Sequence, residues 1–381
     1  MRRWTLAALL LFLPISAMSD TIRVATYNAS LTRSGPGLLL RAIEKNKDEQ
    51  IANVIAILQE IRPDILFLNE FDFDLEGRAA RAFMGALNTG AKPLDLPHPF
   101  SSIPNSGTLS GFDLNDDGKK GGPDDAFGYG KFPGQYGMLL LSRFPIDSDN
   151  ARTFAKMLWK DLPGARLPKH PDDSPFPSTE AQAVMRLSSK SHWDVAVNTP
   201  KGPLHIYASH PTPPVFDGPE DRNGLRNADE IRFWSLYLDG ARFTDDQNLR
   251  APRKEAPALV MADLNADPFD GDGRHQAIAA LINHKALQDP KPASLGAAYF
   301  SRAQGGNNLQ HEGAPSLDTA DWNDERGPGN LRVDYILPTK DVEVTETGVF
   351  WPAPDDPLHK LLGSGKSLSS DHRLLWVDID W

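Results

Sequence analysis

The feature that most limits the fold of this chain is a set of short, apolar, β-branched runs, each bounded by turn-forming or polar residues. Seven such runs occur: Ile22–Tyr27, Ile65–Asn69, Met138–Ser142, Leu204–Ser209, Leu259–Ala262, Val333–Leu337 and Leu374–Ile379. Short runs of this composition predict buried strands. The chain is therefore expected to be built around buried β-sheet.

Helical patterns lie between some of these runs. Apolar residues recur at helical spacing over Ile51–Ile61, and Pro63 ends that pattern before the second predicted strand. Shorter patterns of the same kind occur near Asp229–Leu238 and His275–Ile282. The sequence thus predicts a mixture of helices and strands.

The length of the chain is compatible with one elaborated domain, because a large sandwich can absorb extra residues as insertions. We expect this domain to span residues 20–381. Segments rich in Pro, Gly and Asp predict surface insertions near 72–135, 151–191 and 211–228.

The N-terminus has the pattern of a signal peptide. Arg2 and Arg3 precede the apolar run Leu6–Leu13, and small residues follow before residue 20. A membrane anchor is the alternative, but the run is far shorter than the roughly 20 residues a bilayer requires. We therefore expect residues 1–19 to be removed and the protein to be periplasmic or secreted, with no transmembrane segment.

Charge and cysteine content exclude some classes of function. The formal net charge is −11, and loss of Arg2 and Arg3 leaves −13. Such an acidic chain does not favour broad binding to nucleic-acid backbones, although one phosphate can still be captured locally. The absence of cysteine excludes thiolate metal sites and cysteine nucleophiles.

Polar groups stand at the ends of most of the predicted strands. They are Asn28, Glu70, His210, Asp263, Asn265, Asp334, Asp371 and His372. A rigid sheet can deliver such groups to one edge and so build one site. Taken singly, each has a simpler explanation: a turn after the strand, a solvated carboxylate, or, for Asp334, an ion pair with Arg332.

The order and local context of these groups resemble the endonuclease/exonuclease/phosphatase superfamily over nearly the whole mature chain. The matching segments are ATYNAS, DILFLNEFD, HIYASHPTPP, LVMADLNADPFDG, RVDYILP and SSDHRLLWVDI. The resemblance implies an α+β fold, a four-layer α/β/β/α sandwich. In it, two packed and mainly antiparallel sheets are flanked by helices, with long loop insertions.

The resemblance also implies metal-dependent hydrolysis of a phosphate ester. Glu70 and Asn28 supply oxygen ligands suited to Mg²⁺ or Mn²⁺, and Asp371 is expected to join them directly or through water. The metal would polarise a phosphate oxygen.

The remaining groups are expected to manage protons and to hold the phosphate. Asp334 resembles the carboxylate that orients His372 and stabilises its protonated form. Asp263 is a candidate for orienting or deprotonating the attacking water. Asn265 and His210 would donate to phosphate oxygens. Whether Asp263 or His372 is the formal base stays open.

A calcium-binding pattern lies in the first insertion. Asp113, Asn115, Asp117 and Asp124 occupy positions 1, 3, 5 and 12 of an EF-hand-like loop, with Gly118 at position 6. Asp at position 12 is shorter than the usual Glu. A structural Ca²⁺ and a solvated acidic turn are both compatible with this segment.

Arg222 and Arg226 lie in the insertion that follows His210. Guanidinium groups there could grip a second or terminal phosphate. The alternative is that they pair with neighbouring acidic residues.

We therefore expect an exported, monomeric phosphoesterase that acts on a phosphodiester or phosphomonoester, nucleic acid among them. The alternative is a non-catalytic module that keeps this fold and binds calcium or a protein partner.

Overall fold

The computed structural model describes residues 21–363 and 369–381. The predicted signal peptide, residues 1–19, lies outside the described residues. Within those two ranges, no helix has the length and apolar character needed to cross a membrane.

The described strands are β1 Ile22–Asn28, β2 Ile65–Asn69, β3 His98–Phe100, β4 Met138–Ser142, β5 Arg152–Thr153, β6 His192–Thr199, β7 Gly202–Ser209, β8 Phe243–Thr244, β9 Arg250–Ala251, β10 Ala258–Asp263, β11 Asp334–Pro338, β12 Glu343–Val349 and β13 Leu375–Asp380. The described helices are α1 Leu38–Lys45, α2 Glu49–Ile61, α3 Arg78–Leu87, α4 Thr179–Val184, α5 Arg222–Leu238, α6 His275–Ile282 and α7 Leu295–Gln304. Short 3₁₀ helices span Pro123–Asp125, Trp159–Asp161, Gly306–Gln310, Pro315–Leu317 and Pro357–Leu361. All seven predicted strand runs and all three predicted helical patterns are confirmed.

The strands form two main sheets. One sheet has the order β12-β13-β1-β2-β4-β3 and the other the order β11-β10-β7-β6-β5, while β8 and β9 pair separately. Each main sheet contains one parallel pair, β1 with β2 and β7 with β10. The other neighbouring pairs are antiparallel, as predicted.

The sheets pack face to face between helices. Strands β1 and β2 of the first sheet contact β10 of the second. Helices α1, α2 and α3 share the apolar core of the first sheet, and α5 and α6 share a second core with the outer face of the other sheet. The predicted four-layer α/β/β/α sandwich is confirmed.

Local sequence explains where α2 begins and ends. The Asp48 carboxylate accepts a hydrogen bond from the Ile51 N–H, which caps the helix N-terminus. Arg62 takes a left-handed conformation at the other end, and Pro63 cannot continue the helix. The helix therefore returns the chain to the start of β2, beside β1.

The Pro- and Gly-rich segments contain more regular structure than their composition predicts. Segment 72–135 includes α3, which buries Phe83 and Leu87 in the core of the first sheet. Segment 211–228 ends inside α5, which begins at Arg222. Their apolar residues form short helical stripes that the surrounding Gly, Pro and Asp obscure in the sequence.

Candidate active site

Register within the first sheet brings three of the predicted residues to one edge. Asn28, the last residue of β1, lies beside Asn69 in the parallel neighbour β2, and Glu70 follows directly. The antiparallel pairing of β13 with β1 brings His372, three residues before Leu375, to the same edge. Each side chain is therefore fixed by the end of a buried strand.

Register within the second sheet does the same for the other groups. Asp263 at the end of β10 pairs with Asp334 at the start of β11. Ala262 lies beside Ser209 in the parallel strand β7, so His210 leaves the sheet next to Asp263. The packing of β1 against β10 then joins the two sets of residues.

A buried imidazole lies between two carboxylates at this junction. His372 Nδ1 lies 2.9 Å from Asp334 Oδ2, and its Nε2 lies 3.7 Å from Asp263 Oδ2. The backbone N–H of Asp334 donates to Thr319 Oγ1 at 3.0 Å, which fixes the start of β11. His372 and Asp334 thus form the predicted pair.

The electrostatics of the group favour a protonated imidazole. Burial alone would lower the pKa of His372, but Asp334 and Asp263 outweigh it and raise the pKa to about 10. Burial raises the pKa of Asp334 above its ordinary value. Burial would also raise the pKa of Asp263, but His372 and His210 hold it well below the usual range. Asp263 is therefore ionised near neutral pH.

Asn28 and Asp371 are oriented by a small hydroxyl network. The Asn28 amide donates from Nδ2 to Asp263 Oδ2 at 2.9 Å and accepts through Oδ1 from the Ser30 N–H at 3.2 Å. Ser30 Oγ donates in turn to Asp371 Oδ1 at 3.2 Å. The amide oxygen of Asn28 and the carboxylate of Asp371 are thus linked through one residue.

The residues predicted to hold a metal fit a hard divalent cation. Within the described residues, the Glu70 carboxylate makes no hydrogen bond, and burial raises its pKa to about 7. A bound cation would supply the positive counter-charge that the protein does not provide for this carboxylate. The oxygen donors of Glu70, Asn28 and Asp371 are of the kind that Mg²⁺ prefers. Asp263, Asp334 and His372 could also hold a metal, because their donor atoms all lie within 4.8 Å of one another.

His210 and Asn265 complete the group around Asp263. His210 Nε2 lies 3.4 Å from Asp263 Oδ2, and burial lowers the pKa of His210 to about 4, so its imidazole is neutral near pH 7. The backbone N–H of Asn265 donates to Asp263 Oδ1 at 2.9 Å, and its side-chain amide donates to the Pro211 carbonyl at 3.1 Å. The Asn265 amide therefore ties the segment after β10 to the segment after β7.

Most of the predicted site residues line a single cavity of about 730 Å³. They are Asn28, Glu70, His210, Asp263, Asn265, Asp371 and His372. Asp334 is fully buried behind His372. The structure thus brings all eight predicted residues together, while their individual roles stay predictions.

The backbone around this cavity is strained. Ser30, Glu70, Tyr136, Phe216 and Asn265 all have positive φ values between 48° and 67° and all line the cavity. Only Asn adopts this conformation readily, and for other residues it costs on the order of 1 kcal/mol or more. Strain of this kind concentrates at functional sites, because the surrounding structure holds side chains in directions that relaxed backbone would not give.

Comparison with known proteins agrees with this arrangement. The model of the Endonuclease/Exonuclease/phosphatase family matches residues 25–372. This chain belongs to that family.

The similar solved structures have low sequence identity to this chain. An endonuclease/exonuclease/phosphatase from Beutenbergia cavernae DSM 12333 superposes with a TM-score of 0.50 at 16% identity, covering 94% of this chain and 71% of that one. The human Nocturnin catalytic domain has a TM-score of 0.46 at 14% identity, covering 94% and 93%. Sphingomyelinase C from Streptomyces griseocarneus has a TM-score of 0.43 at 14% identity, covering 94% and 99%. Among curated proteins, none matches the sequence.

Lys190 is a cavity residue of this family member that the sequence analysis missed. It is 7% exposed, lines the cavity and makes no hydrogen bond or ion pair through its ammonium group within the described residues. Burial lowers its pKa, while the nearby carboxylates of Glu230, Glu70 and Asp263 oppose that shift. A lone Lys before a strand is usually solvated, so the sequence held no signal that would have separated it from a surface residue.

Glu230 positions the segments that carry Lys190 and His210. Its carboxylate accepts from the Ser189 N–H at 2.6 Å and from the Thr212 N–H at 2.8 Å. The side chain is buried on α5, so one helix residue holds two cavity segments together. The sequence did not predict this bridging function, because an acidic residue on a helix is usually exposed to solvent.

Trp322 is a second cavity residue that the sequence analysis missed. Its indole N–H donates to Asp371 Oδ2 at 3.0 Å, and its ring meets the His372 ring edge-on at 5.4 Å. Trp322 therefore orients the predicted metal ligand and covers the imidazole. It lies in a polar loop without regular periodicity, which gave no indication of this contact.

The two predicted phosphate-binding arginines differ in their contacts. Arg226 donates through Nε to the Leu187 carbonyl at 2.9 Å and through Nη2 to three other backbone carbonyls, so much of its donor capacity braces loops. Arg222 donates to the Leu114 carbonyl at 3.2 Å and lies 3.6 Å from Asp124. Its buried Nε makes no hydrogen bond but lies 3.7 Å from Glu220 Oε1, so Arg222 does pair with a neighbouring acidic residue. Both line the cavity, and their phosphate contacts stay predictions.

The loop with the EF-hand-like spacing curls around its first residue. The Asp113 carboxylate accepts hydrogen bonds from the backbone N–H groups of Asp116 and Gly118 at 2.7 and 2.8 Å. Asn115 Oδ1 is buried without a hydrogen-bond partner, and Asp124 lies near Arg222. The loop lies at the cavity rim through Asp124, and calcium binding stays a prediction.

Proposed function

We propose that this protein is an exported, Mg²⁺- or Mn²⁺-dependent phosphoesterase that hydrolyses a phosphodiester or phosphomonoester. Members of its family hydrolyse phosphoesters. The observation that carries the proposal is the buried Asp263–His372–Asp334 arrangement beside the unpartnered Glu70 carboxylate in one cavity. The charged and apolar N-terminal sequence supports export.

Glu70, Asn28 and Asp371 would hold the metal. When bound, a divalent cation stabilises the negative charge on a phosphate oxygen and on the leaving oxygen. The oriented amide of Asn28 and the Trp322-bound carboxylate of Asp371 support this assignment, because ligands fixed by outer contacts need no rearrangement on binding.

The protonation states divide the proton chemistry between Asp263 and His372. Asp263 stays ionised, and so it is suited to accept a proton from water placed beside it. His372 stays protonated between two carboxylates, and so it is suited to stabilise charge or donate a proton at the phosphate. Asp334 holds the imidazole from behind and does not face the cavity.

Lys190 and His210 would bind the non-bridging oxygens. A buried ammonium group without a protein partner can form a charge-assisted contact with a phosphate at little cost in lost protein contacts. His210 reaches the same end of the cavity through its contact with Asp263. Asn265 keeps the segment after β10 in place through Pro211.

The charge of the protein bears on the class of substrate. A net charge of −11 disfavours binding along the backbone of a long polyanion such as DNA. The cavity can instead admit a small phosphoester or one end of a nucleic acid. The non-catalytic alternative predicts loss of catalytic groups, but all eight are present and converge.

The experiment is a substrate panel with the purified protein. Bis-p-nitrophenyl phosphate, p-nitrophenyl phosphate, DNA, inositol phosphates and sphingomyelin are assayed with Mg²⁺, with Mn²⁺ and with EDTA. We expect metal-dependent hydrolysis of at least one compound, and a loss of at least about 100-fold in His372→Ala. His98→Ala, on an edge strand away from the cavity, serves as the control and should keep wild-type activity. Absence of metal-dependent hydrolysis across the panel would contradict the proposal.

A further inference from the structure

Two tyrosine rings lie next to each other on the wall of the cavity. Tyr129 and Tyr136 both line it, and their ring centroids are 6.4 Å apart with an angle of 39° between the ring planes. Tyr129 is 49% exposed, and Tyr136 is partly exposed. The two rings therefore form one aromatic surface that is accessible from the cavity.

Backbone packing places Tyr136 beside the predicted metal ligand Glu70. Strands β2 and β4 pair antiparallel, and the pairing extends past their ends because the Phe71 N–H donates to the Gly137 carbonyl at 3.0 Å. A Cβ at Gly137 would lie only 2.7 Å from the Phe71 carbonyl oxygen, so this close approach requires glycine. Glu70 and Tyr136 are the chain neighbours of these two residues, and both line the cavity.

A second close approach places Tyr129 beside Lys190. A Cβ at Gly128 would overlap the Ser189 carbonyl oxygen, so glycine is required where these two segments touch. The Gly128 carbonyl also accepts from the Gly107 N–H at 2.9 Å, which fixes the segment. Tyr129 and Lys190 directly follow the two touching residues. The aromatic surface therefore extends from the side of Glu70 to the side of Lys190.

The aromatic surface is rigid before any ligand binds. Tyr136 has a φ of 55°, and its backbone N–H donates to Asp72 Oδ1 at 3.3 Å. Tyr129 lies next to the glycine that packs against Ser189. A surface that is already ordered loses little conformational entropy on binding, so its contacts contribute more of their energy to affinity.

The position of the aromatic surface determines which part of a substrate meets it. A phosphate held by a metal at Glu70 and by the Lys190 ammonium group would direct its organic substituent toward the two rings. Aromatic side chains bind planar rings by stacking, and such contacts with nucleobases are strong and do not depend on the identity of the base.

Other organic groups fit this surface less well. A quaternary ammonium group also binds aromatic rings, but Lys190 at one end and a metal at Glu70 at the other would repel it. A polyol would meet Pro213, Pro214 and Val215 elsewhere on the cavity wall, and these side chains offer its hydroxyl groups no hydrogen bonds. A planar ring is therefore the group that the observations favour.

We propose that Tyr129 and Tyr136 are specificity-determining residues that stack against a planar ring of the substrate, which is a small phosphoester of the nucleotide type. This inference rests on the proposed function, because a bound phosphate places the ring. The cavity volume of about 730 Å³ lies in the range of sites that enclose a small organic ligand.

The test compares two ligands that differ only in the ring. Adenosine 5′-monophosphate and ribose 5-phosphate are used as methylenephosphonates, in which a CH₂ group replaces the ester oxygen and prevents hydrolysis. Dissociation constants are measured by ligand-observed NMR titration with Mg²⁺ present. The wild type should bind the adenosine compound about 5- to 100-fold more tightly than the ribose compound.

Substitutions at the two tyrosines separate the ring from the rest of the side chain. Tyr129→Leu and Tyr136→Leu should each reduce the ratio of the two dissociation constants by at least about threefold. Tyr136→Phe keeps the ring and should keep the ratio. Tyr299→Leu is the matched control, because Tyr299 is 52% exposed on α7 and does not line the cavity.

The possible outcomes separate this inference from the proposed function. Equal binding of the two ligands by the wild type, no detectable binding of the adenosine compound, or a ratio unchanged in both leucine variants would overturn it. Tighter binding of phosphocholine than of the adenosine compound would also overturn it. Selective binding without hydrolysis of any compound in the substrate panel would contradict the proposed reaction and still support the ring contact. Hydrolysis in the panel without selectivity for the ring would overturn this inference alone.

Discussion

Replacement of Asp334 by Asn tests the buried pair behind the cavity most directly. The substitution keeps the size of the side chain and removes the negative charge 2.9 Å from His372 Nδ1. Asp334 Oδ1 has no hydrogen-bond partner, so the change at that atom breaks no existing contact. The amide can still contact the imidazole, but it no longer stabilises the imidazolium.

The size of the effect follows from the pKa of His372. Its carboxylate neighbours raise that pKa from 6.5 to about 10. At about 1.4 kcal/mol per pKa unit, the net stabilisation of the imidazolium that remains after the opposing effect of burial is on the order of 5 kcal/mol. Asp263 remains 3.7 Å away and retains part of it. A loss of roughly 2–4 kcal/mol corresponds to a rate decrease of about 30- to 1000-fold.

The assay compares two phosphodiesters with different leaving groups. Bis-p-nitrophenyl phosphate releases a stable anion, whereas a dinucleotide releases an alkoxide that needs a proton. If His372 donates that proton, Asp334→Asn should slow the dinucleotide more; if it accepts a proton from water, both should slow equally. Asp341→Asn, exposed just beyond the same strand, controls for the substitution type. A decrease of less than about threefold on both substrates in a folded variant would refute the reasoning.

Three further predictions concern binding, acid stability and calcium. Lys190→Met should lower kcat/KM by about 10- to 100-fold. The melting temperature should not fall, because the ammonium group has no protein partner to lose. An unchanged kcat/KM would exclude Lys190 from substrate binding. Burial lowers the pKa of His192 to about 4, below its ordinary 6.5, so its contribution to stability is present above pH 6.5 and lost as the pH falls toward 4. Urea unfolding should show a wild-type loss of roughly 2 kcal/mol from this residue between pH 7 and pH 5; His192→Gln should remove it, and equal losses in both proteins would contradict the assignment. Ca²⁺ should raise the melting temperature of the wild type more than that of Asp113→Ala, and equal shifts would remove the calcium site from the EF-hand-like loop.

The fold could be predicted largely because its strands are buried on both faces. Runs such as Ile65–Asn69 and Leu259–Ala262 contain apolar residues without interruption, and such runs have few other destinations in a soluble fold. Strand β12 was missed because its Glu343–Gly348 stretch contains a single strongly apolar residue, Val344, among charged and small residues, on the edge of a sheet. Helix α3 was missed because turn-forming residues surround it.

The candidate site was predictable where a polar residue is the first or last residue of a buried strand. Asn28, Asp263 and Asp334 follow this rule, and the sheet register then determines that they meet. Lys190 and Trp322 do not follow it, since one precedes a strand and the other lies in a loop. Their place in the cavity depends on how α5 and the loop before β11 pack, and no local pattern encodes that packing.

The sequence by itself determined the strands, the polar groups at their ends and the absence of thiol chemistry, because these depend on residue type and short-range periodicity. Tertiary structure alone decided which charges become partners. His372 and Asp334 are separated by 38 residues and His372 and Asn28 by 344, yet each pair lies within 3.5 Å. The properties that the chemistry requires, a protonated imidazole and an unpartnered ammonium group, arise from burial and from the distance between charges. Both quantities exist only once distant segments have packed together.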